Sequence, residues 1–410
     1  MQSTLKSNFD VAICGAGPGG AALASILAGR GISTALIERQ SEFSNEFRGE
    51  GIMPSGYKAL KAIGFDLDKV ILPLQKNVRA KVYNQGKSLV DFEFPFSTNG
   101  GLRWVSQPAL LEHIVQHSLA KGGLTFFRGS HVFDVLREKN RVSGLRVSQK
   151  GKKLDIKARV IIGFDGRGSI LRRKLKFEVL DFEQMIDVIW FKVPYPHEFL
   201  DSGTALVNFV KKGFMICPAC YNDELQVGWI IAKNSYGEIK KLGEDAWISE
   251  IQKQCPKELA DHLERNRDNI SDKFVLNVEL SRCTTWSKSG VLLLGDAAHT
   301  MNPVGAQGIN IALRDAVVAA NHLVPVFSGE PTDRSLDVAF GEIERERLRE
   351  VEIIQDFQRR PPTLLHRQNS LILFLIQNLS RLSRLKFFRK RVLELADKLA
   401  YGVTNVELKV

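Results

Sequence analysis

The chain has 410 residues, 44% apolar and 25% charged, which allows two or three structural units and a large core and suits an ordinary globular protein. Five scattered cysteines argue against a disulfide framework and fit a reducing cytoplasm; the first ten residues, MQSTLKSNFD, lack the apolar region of a secretory signal, and no stretch approaches the roughly 18 apolar residues of a membrane span. The net charge of +11 would suit anionic partners, but no nucleic-acid-binding motif accompanies it, so nucleic acid is not expected as a partner.

The first predicted elements lie in "FDVAICGAGPGGAALASILAGRGISTALIER", Phe9 to Arg39. Val11 to Cys14 reads as a buried strand, Ala21 to Ala28 as a helix closed by Gly31, and Ser33 to Ile37 as a second strand. This is a complete β-α-β unit, the context a dinucleotide fingerprint requires. Gly15 permits the tight turn, Gly17 lets backbone approach a pyrophosphate, and Gly20 lets helix and strand pack closely. The whole turn, Gly15, Ala16, Gly17, Pro18, Gly19 and Gly20, then opens a helix whose N–H groups and dipole favour phosphate. Glu38, followed by Arg39, ends the second strand. Its carboxylate suits ribose hydroxyls and repels a 2′-phosphate, which leaves NAD or FAD.

Further along, Leu74 to Phe96 suggests two strands, "RWVSQPALLEHIVQHS" starts a helix, and "LTFFRGSH" is a strand edge before Val132. "VIIGFDGRGSILRRKL", Val160 to Leu175, is a buried strand ending in Asp165-Gly166. Short alternating strands follow up to Gly290, with a hairpin turn at Asn222-Asp223. Cys217-Pro218-Ala219-Cys220 lies in one of these hairpins, without the second cysteine pair of a zinc site or the helix of a redox motif. "GEDAWISEIQKQCPKELADHLER" reads as helices. "GVLLLGDAAHTMNPVGAQGINIALRDAVVAANHL", Gly290 to Leu323, is a strand, Gly295-Asp296, a glycine-bearing turn and a helix. Asp337 to Arg360 is a charged helix ended by Pro361-Pro362. From Pro361 to Ala400 there are eight basic residues against two acidic ones. That tail reads as a terminal helix packed on the nucleotide-binding domain or, alternatively, as an amphipathic segment on an anionic membrane surface.

From about Asp10 to Leu323 these segments resemble, in order, the three motifs of the single-component FAD-dependent monooxygenases, the para-hydroxybenzoate hydroxylase-like aromatic hydroxylases. The resemblance implies an α/β fold: a Rossmann-type FAD-binding domain, an interleaved mixed β-sheet substrate domain and a helical C-terminus. The FAD-binding domain would take 1–73, 98–180 and 281–330, the substrate domain 74–97 and 181–280, and the C-terminal helices 331–410. FAD would be bound tightly but without a covalent link. NADPH or NADH would visit as transient reductant, in keeping with the lack of a second glycine fingerprint. Asp296, at the carboxyl edge of the sheet, would hold a ribityl hydroxyl. The helix start at Gly305, Ala306, Gly308, Ile309 and Asn310 would face the pyrimidine edge of the flavin, where negative charge develops on reduction. Asp165 resembles the acid near the pyrophosphate that is linked to NAD(P)H use. A turn or helix cap is the alternative for both acids. "FRGEGIMPSGYKALKAIGF" places Arg48 where an arginine contacts FAD. Gln107 stands where relatives carry arginine, and Val132 where backbone meets adenine or simply packs in the core. Two positions depart from the family: Phe164, often alanine, would crowd the nicotinamide approach, and Ala306, often glycine, needs a backbone that tolerates a methyl group.

The activity implied is that of a monooxygenase inserting one oxygen of O2 into a small aromatic or lipophilic ring or alkene compound through a flavin C4a-hydroperoxide. A flavin-dependent halogenase, a prenyl reductase of the same fold and a non-catalytic FAD-binding sensor are the alternatives. No W-x-W-x-I-P segment favours the halogenase. No metal site or catalytic triad is expected, because the cofactor carries the chemistry. His299 reads as structural, and Trp190, Tyr195 and Trp229 as pocket-lining or core aromatics. The expected partners are a small-molecule substrate and O2, and the expected location is the cytoplasm, with peripheral membrane contact through the basic tail as the sharper reading.

Overall fold

Strand β1 (Asn8–Cys14) is the centre of the molecule; its Val11, Ala12 and Ile13 are fully buried. It pairs in parallel with β11 (Lys152–Gly163) on one side and β2 (Thr34–Ile37) on the other. The sheet continues outward through β21 (Val291–Leu293) and β20 (Ser287–Lys288) at one edge and β8 (Leu124–Phe127) at the other. β9 (Ser130–Glu138) and β10 (Arg141–Gln149) extend β11 as an antiparallel hairpin. The parallel strands are covered on both faces, so they read as continuous apolar runs rather than as alternating ones. The computed structural model describes residues 7–44, 50–97, 101–210, 213–241, 243, 246–271, 273–359, 394 and 397–410. Arg48 and almost all of the basic segment 361–396 lie outside the described residues.

Register brings the separated motifs together. Cys14 stands beside Gly163 and Ile37, Gly163 beside Leu293, and Ile37 beside Phe127. Five neighbouring parallel strands therefore release their loops from one row at the carboxyl edge, where α/β sheets bind ligands. Helix α1 (Pro18–Gly29) closes the first crossover, and Gly31 follows its C-cap at φ +75°. α2 (Pro54–Ala62) and α3 (Gln107–Lys121) complete this layer, the latter started by Ser106, whose hydroxyl accepts from Ala109 N at 3.5 Å. The expectation that no stretch approaches a membrane span meets an exception in α8 (Gln307–Ser328), which has the length and hydropathy of one. It is a core helix: 61% of its apolar window is buried, against α1, α2 and α9 (Asp333–Arg359).

The second large sheet runs β18 (Phe274–Leu276), β13 (Ile186–Pro194), β17 (Glu224–Ala232), β15 (Gly213–Cys217), β14 (Thr204–Val210), β5 (Arg79–Asn84) and β6 (Lys87–Glu93), with β16 (Ala219–Cys220) added to β17. Period-two alternation gives it two different faces. Ile189, Phe191, Val193, Met215, Val227 and Trp229 pack with residues of α6 (Ala246–Gln252) and α7 (Lys257–Arg265), which follow α5 (Tyr236–Lys241). Val188, Trp190, Phe214, Ile216 and Ile230 point the other way and cluster with Val304 of the sheet-edge loop. This second sheet is thus a roof over the first.

Small sheets join the two: β3 (Gly51–Ile52), β7 (Leu102–Val105) and β4 (Leu74–Asn77) form one, and β12 (Val179–Asp181), β19 (Ser281–Cys283) and β22 (His299–Thr300) the other. Leu74 to Phe96 therefore yields three strands, not two. Asn77 divides them: fully buried, it accepts from Ala219 N and donates to Ala219 O, both at 2.8 Å, and pins the chain where it leaves β4 for the roof. Asn222 and Asp223 take φ +60° and +57°, as a primed hairpin turn requires.

Candidate flavin site

The glycine turn follows β1 directly. Gly15 has φ +100°, and a Cβ there would fall 2.3 Å from Phe164 O; at Gly20 a Cβ would fall 2.0 Å from Gly15 O. These two glycines let the turn, the helix and the β11 exit touch. Gly17 differs: a Cβ there would meet nothing within 4 Å. Gly17 also starts α1 without any side-chain cap, and Pro18 stands at the first turn. An uncapped helix start in front of open space is what a pyrophosphate needs, so the turn fits FAD.

Glu38 lies across the mouth of this turn. Its Oε2 accepts from Ala16 N and its Oε1 from Gln40 N, both at 2.9 Å. The carboxylate is oriented from both sides and keeps lone pairs for ribose hydroxyls. Arg39 beside it is exposed. Ser130 N donates to Glu38 O at 2.7 Å, which brings the start of β9, with buried Val132, next to the same strand end. Gln107 is buried at the first position of α3, which packs on α1.

The two aspartates have different environments. Asp165 Oδ2 accepts from Ile170 N (2.7 Å) and Leu171 N (3.2 Å) and so caps α4 (Ile170–Lys174). Its Oδ1 is buried without a hydrogen-bond partner among the described residues. Burial holds this carboxyl above its ordinary pKa, although Ser169 and the helix N–H groups act in the opposite direction. Asp296 caps no helix: its side chain, 32% exposed, accepts from Arg167 Nε at 3.3 Å. Arg172 ties the two loops together by donating to Asp296 O (3.3 Å), Ala297 O (3.0 Å) and Arg167 O.

Phe164 does not crowd the front of the site. It is 8% exposed, and its ring fills the space that Gly19 and Gly295 leave open: a Cβ at Gly19 would fall 2.4 Å from Cε1. The aromatic side chain turns inward because these two glycines give it room beneath the turn.

At the α8 start, Gly305 has φ +83° and Ala306 takes the left-handed conformation, φ +52° and ψ 42°, without a side-chain cap on the helix. Gly308 faces open space and Ile309 is buried. Asn310 uses its side chain within the protein: Oδ1 accepts from Met53 N (2.9 Å), and Nδ2 donates to Gly51 O (3.1 Å) and Ala306 O (2.5 Å). It shapes the loop, leaving the helix N–H groups as the part of this motif that suits an anionic flavin edge. The chain's end returns here as well. Gln307 Nε2 donates to Leu399 O at 2.9 Å, and Ala400 is buried with Met53, Phe96 and Ala306.

A buried ionic frame under the site is not legible as a motif. Asp315 Oδ2 accepts from Gly295 N (3.0 Å) and faces His299 Nε2 (2.9 Å), while its Oδ1 accepts from Arg347 Nε (2.7 Å). Arg347 also pairs with Glu350, which binds Arg314 (2.5 Å) and accepts from Val403 N (2.7 Å). Burial alone would raise the Asp315 pKa, but the charges of His299 and Arg347 outweigh it and hold the carboxyl well below the usual range. His299 packs on Trp286, rings 4.7 Å apart, so it is a structural partner of Asp315. The available signal was an Arg314-Asp315 pair inside the apolar run of α8. Trp229 and Tyr195 belong to the helix-facing core of the roof; Trp190 faces the site. Cys217 and Cys220 are buried with thiol pKa values pushed up by burial, and no metal-binding group occurs among the described residues.

The family model described as "FAD binding domain" matches residues 8–353. The 6-methylpretetramide 4-monooxygenase of Streptomyces rimosus is 27% identical over 323 residues, which cover 76% of this chain and 74% of the relative. The solved structure of the p-nitrophenol 4-monooxygenase PnpA from Pseudomonas putida superimposes with a TM-score of 0.79 at 16% identity, covering 97% of this chain and all of that one. The myxobacterial chondrochloren halogenase CndH superimposes with a TM-score of 0.73 at 19% identity, covering 99% and 94%. At such identities the structures show a shared fold, common to a monooxygenase and a halogenase. With the family match spanning most of its length and the three motif loops on one sheet edge, the chain belongs to the FAD-dependent monooxygenases.

Proposed function

We propose that the protein is an NAD(P)H-dependent monooxygenase that inserts one oxygen atom of O2 into a small aromatic or lipophilic ring or alkene compound. The observation that carries this reading is the pairing of an FAD-shaped floor with an apolar roof face, which meet at Val304. The chemistry that FAD would supply when bound, with NAD(P)H as reductant, is the activation of O2 to an electrophilic oxygen donor. The chain's part is to bind, orient and keep water out. Gly15 to Gly20, Glu38 and Asp296 would hold the cofactor, and the α8 start would face its ring edge. Trp190, Phe214, Ile216 and Ile230 would cover an apolar substrate and exclude water from the reacting atoms. The monooxygenation named for the Streptomyces relative supports oxygen transfer over halogenation. Incubation with NAD(P)H, ¹⁸O2 and a panel of aromatic and alkene compounds tests it. One labelled oxygen in a product, with substrate-stimulated NAD(P)H use, is expected. Turnover only with halide, yielding halogenated product, would replace this reading with the halogenase.

A further inference from the structure

Helix α9 is charged along much of its length, yet near its end two amides turn inward. Gln355 and Gln358, 1% and 0% exposed, stand about one turn apart on the same face. Both lie past residue 353, where the family match ends. Gln358 meets the loop that enters α8 as a neighbouring strand would. Its Oε1 accepts from Asn302 N at 3.1 Å, and its Nε2 donates to Asn302 O at 2.8 Å and to Val304 O at 2.9 Å. Gln355 Nε2 donates to Ser281 O (2.9 Å) and Thr300 O (3.0 Å), and its Oε1 accepts from Arg282 Nη1 at 3.3 Å.

The two amides hold different kinds of backbone. Ser281 and Thr300 already face each other in the β19–β22 pair, so Gln355 adds to a fixed ladder. Residues 301–306 belong to no strand and no helix. Asn302, fully buried, folds its side chain back: Oδ1 accepts from Val304 N at 2.9 Å, and Nδ2 donates to Gln184 Oε1 at 2.7 Å. At the far end Gln307 Nε2 donates to Gly305 O at 2.6 Å as well as to Leu399 O. Between these points Gln358 ties two loop carbonyls and one loop N–H to a packed helix. Buried backbone groups need such partners, so the amide serves stability. Its place gives it a second consequence. Val304 touches the roof, and Gly305 and Ala306 lead directly into the α8 N–H groups that suit an anionic flavin edge. Where Gln358 holds Asn302 and Val304 therefore decides where that helix start is aimed.

We propose that Gln358 is a positioning residue for the flavin: by fixing the 302–306 loop it aims the α8 start so that the reduced, negatively charged cofactor is favoured over the oxidised one. The inference needs bound FAD but no particular reaction, so it stands apart from the oxygen-transfer reading. FAD-loaded, full-length protein is reduced slowly with xanthine and xanthine oxidase beside a dye of known potential, and the FAD midpoint is read from the absorbance. Gln358→Met keeps the length of the side chain and removes its hydrogen bonds to Asn302 and Val304. Reduced FAD should then lose about tenfold in binding relative to oxidised FAD, within the range of a partly buried charge at a helix end. That ratio is a midpoint about 30 mV below wild type for a two-electron couple. Gln355→Met is the control: equally inward but bonded to the β19–β22 ladder, it should lower the melting temperature and leave the midpoint unchanged. Gln358→Ala is the second variant. The space it leaves is lined by backbone polar groups and admits water, which preserves folding without holding the loop, so the midpoint should fall as in Gln358→Met. A wild-type midpoint in whichever Gln358 variant is folded and FAD-loaded overturns the proposal. An equal shift in Gln355→Met overturns it too, because general loosening would then account for the effect. Failure of both Gln358 variants to fold makes the residue a core support and also overturns the positioning role. A lowered midpoint in the variants of a protein that transfers no ¹⁸O keeps the positioning role and fails the monooxygenase reading; ¹⁸O transfer with an unmoved midpoint fails the positioning role alone.

Discussion

Floor and roof meet at Val304, yet they secure their shapes by different means. On the floor, strand ends in register and glycines in contact with backbone fix where loops emerge, and side chains such as Asn310 and Glu38 serve to hold backbone in place. On the roof the backbone is a mixed sheet, antiparallel except where β14 runs parallel to β5, and its meaning lies in which side of each strand a residue occupies: Trp190, opposite Gly228, faces the site while Trp229, opposite Ile189, faces the helices. Floor substitutions should therefore change folding and FAD affinity, and roof substitutions should change which substrate is accepted.

The strongest test of the floor is its ionic frame. Arg347→Met leaves the buried Asp315 without its guanidinium and should cost about 3–5 kcal/mol in denaturant unfolding. A loss below about 1 kcal/mol would show the frame to be dispensable. The frame also predicts a pH dependence. Asp315 and Glu350 are carboxylates whose pKa values would be raised by burial but are held below the ordinary range by neighbouring charges. Their stabilisation is thus fully present above the unfolded value of about 4 and drains away as pH falls through the lowered folded values. Acid unfolding of Arg347→Met should be less steep over that interval.

Next is a contrast within the glycine turn. Gly20→Ala drives a methyl into the Gly15 carbonyl, a clash with backbone that should cost about 3 kcal/mol or more and strip FAD from the purified protein. Gly17→Ala has an ordinary extended backbone, φ −66° and ψ 179°, and open space in front of it, so stability should stay within about 0.5 kcal/mol. FAD affinity should nevertheless fall about tenfold, since the methyl points where phosphate would lie. Equal FAD titration curves for Gly17→Ala and wild type would remove the cradle assignment.

The two aspartates sharpen the comparison further. Asp296→Ala should lose charge-assisted hydrogen bonds to the cofactor worth about 1.5–3 kcal/mol, lowering FAD affinity about ten- to a hundredfold and making the melting temperature depend on added FAD. Asp165→Ala removes a helix cap and should cost about 1 kcal/mol of stability. Apoprotein titrations with FAD separate the two, and a folded Asp296→Ala that binds FAD like wild type would refute its flavin role.

What could be read from the sequence follows the same division. The β-α-β unit, the order of the motifs and the helices at both ends of the roof were legible because local periodicity and glycine spacing determine them. The inward turn of Phe164 was not, because it depends on the room left by Gly19 and Gly295, the latter far away in sequence. That the tail packs on the nucleotide-binding domain was one of its two readings, but the contact of Leu399 and Ala400 with the α8 start was not legible, since no local pattern signals it. The contacts of Tyr221 with Glu50 and Lys192 join three segments distant in sequence, so no local pattern signals them. Asp165 kept two readings open in sequence, and the structure adds a helix cap together with a buried oxygen that has no partner among the described residues.

The smallest expected effect lies where floor and side-chain packing compete. Ala306 sits at φ +52°, a region that costs a residue with a Cβ roughly 1–2 kcal/mol. Ala306→Gly releases that strain. The mutant chain gains about 0.5–1 kcal/mol of unfolded-state freedom that opposes folding, and it loses the methyl's contacts with Met53, Phe96 and Ala400. The net change should lie between zero and about 1 kcal/mol of stabilisation, visible as a small rise in melting temperature at unchanged FAD content. If backbone governs this loop, as it does the rest of the floor, the rise should persist in saturating FAD. A fall of more than about 1 kcal/mol would mean that the Ala306 methyl is held by its neighbours as a roof residue is, and that side-chain packing rather than backbone geometry sets the entry to α8.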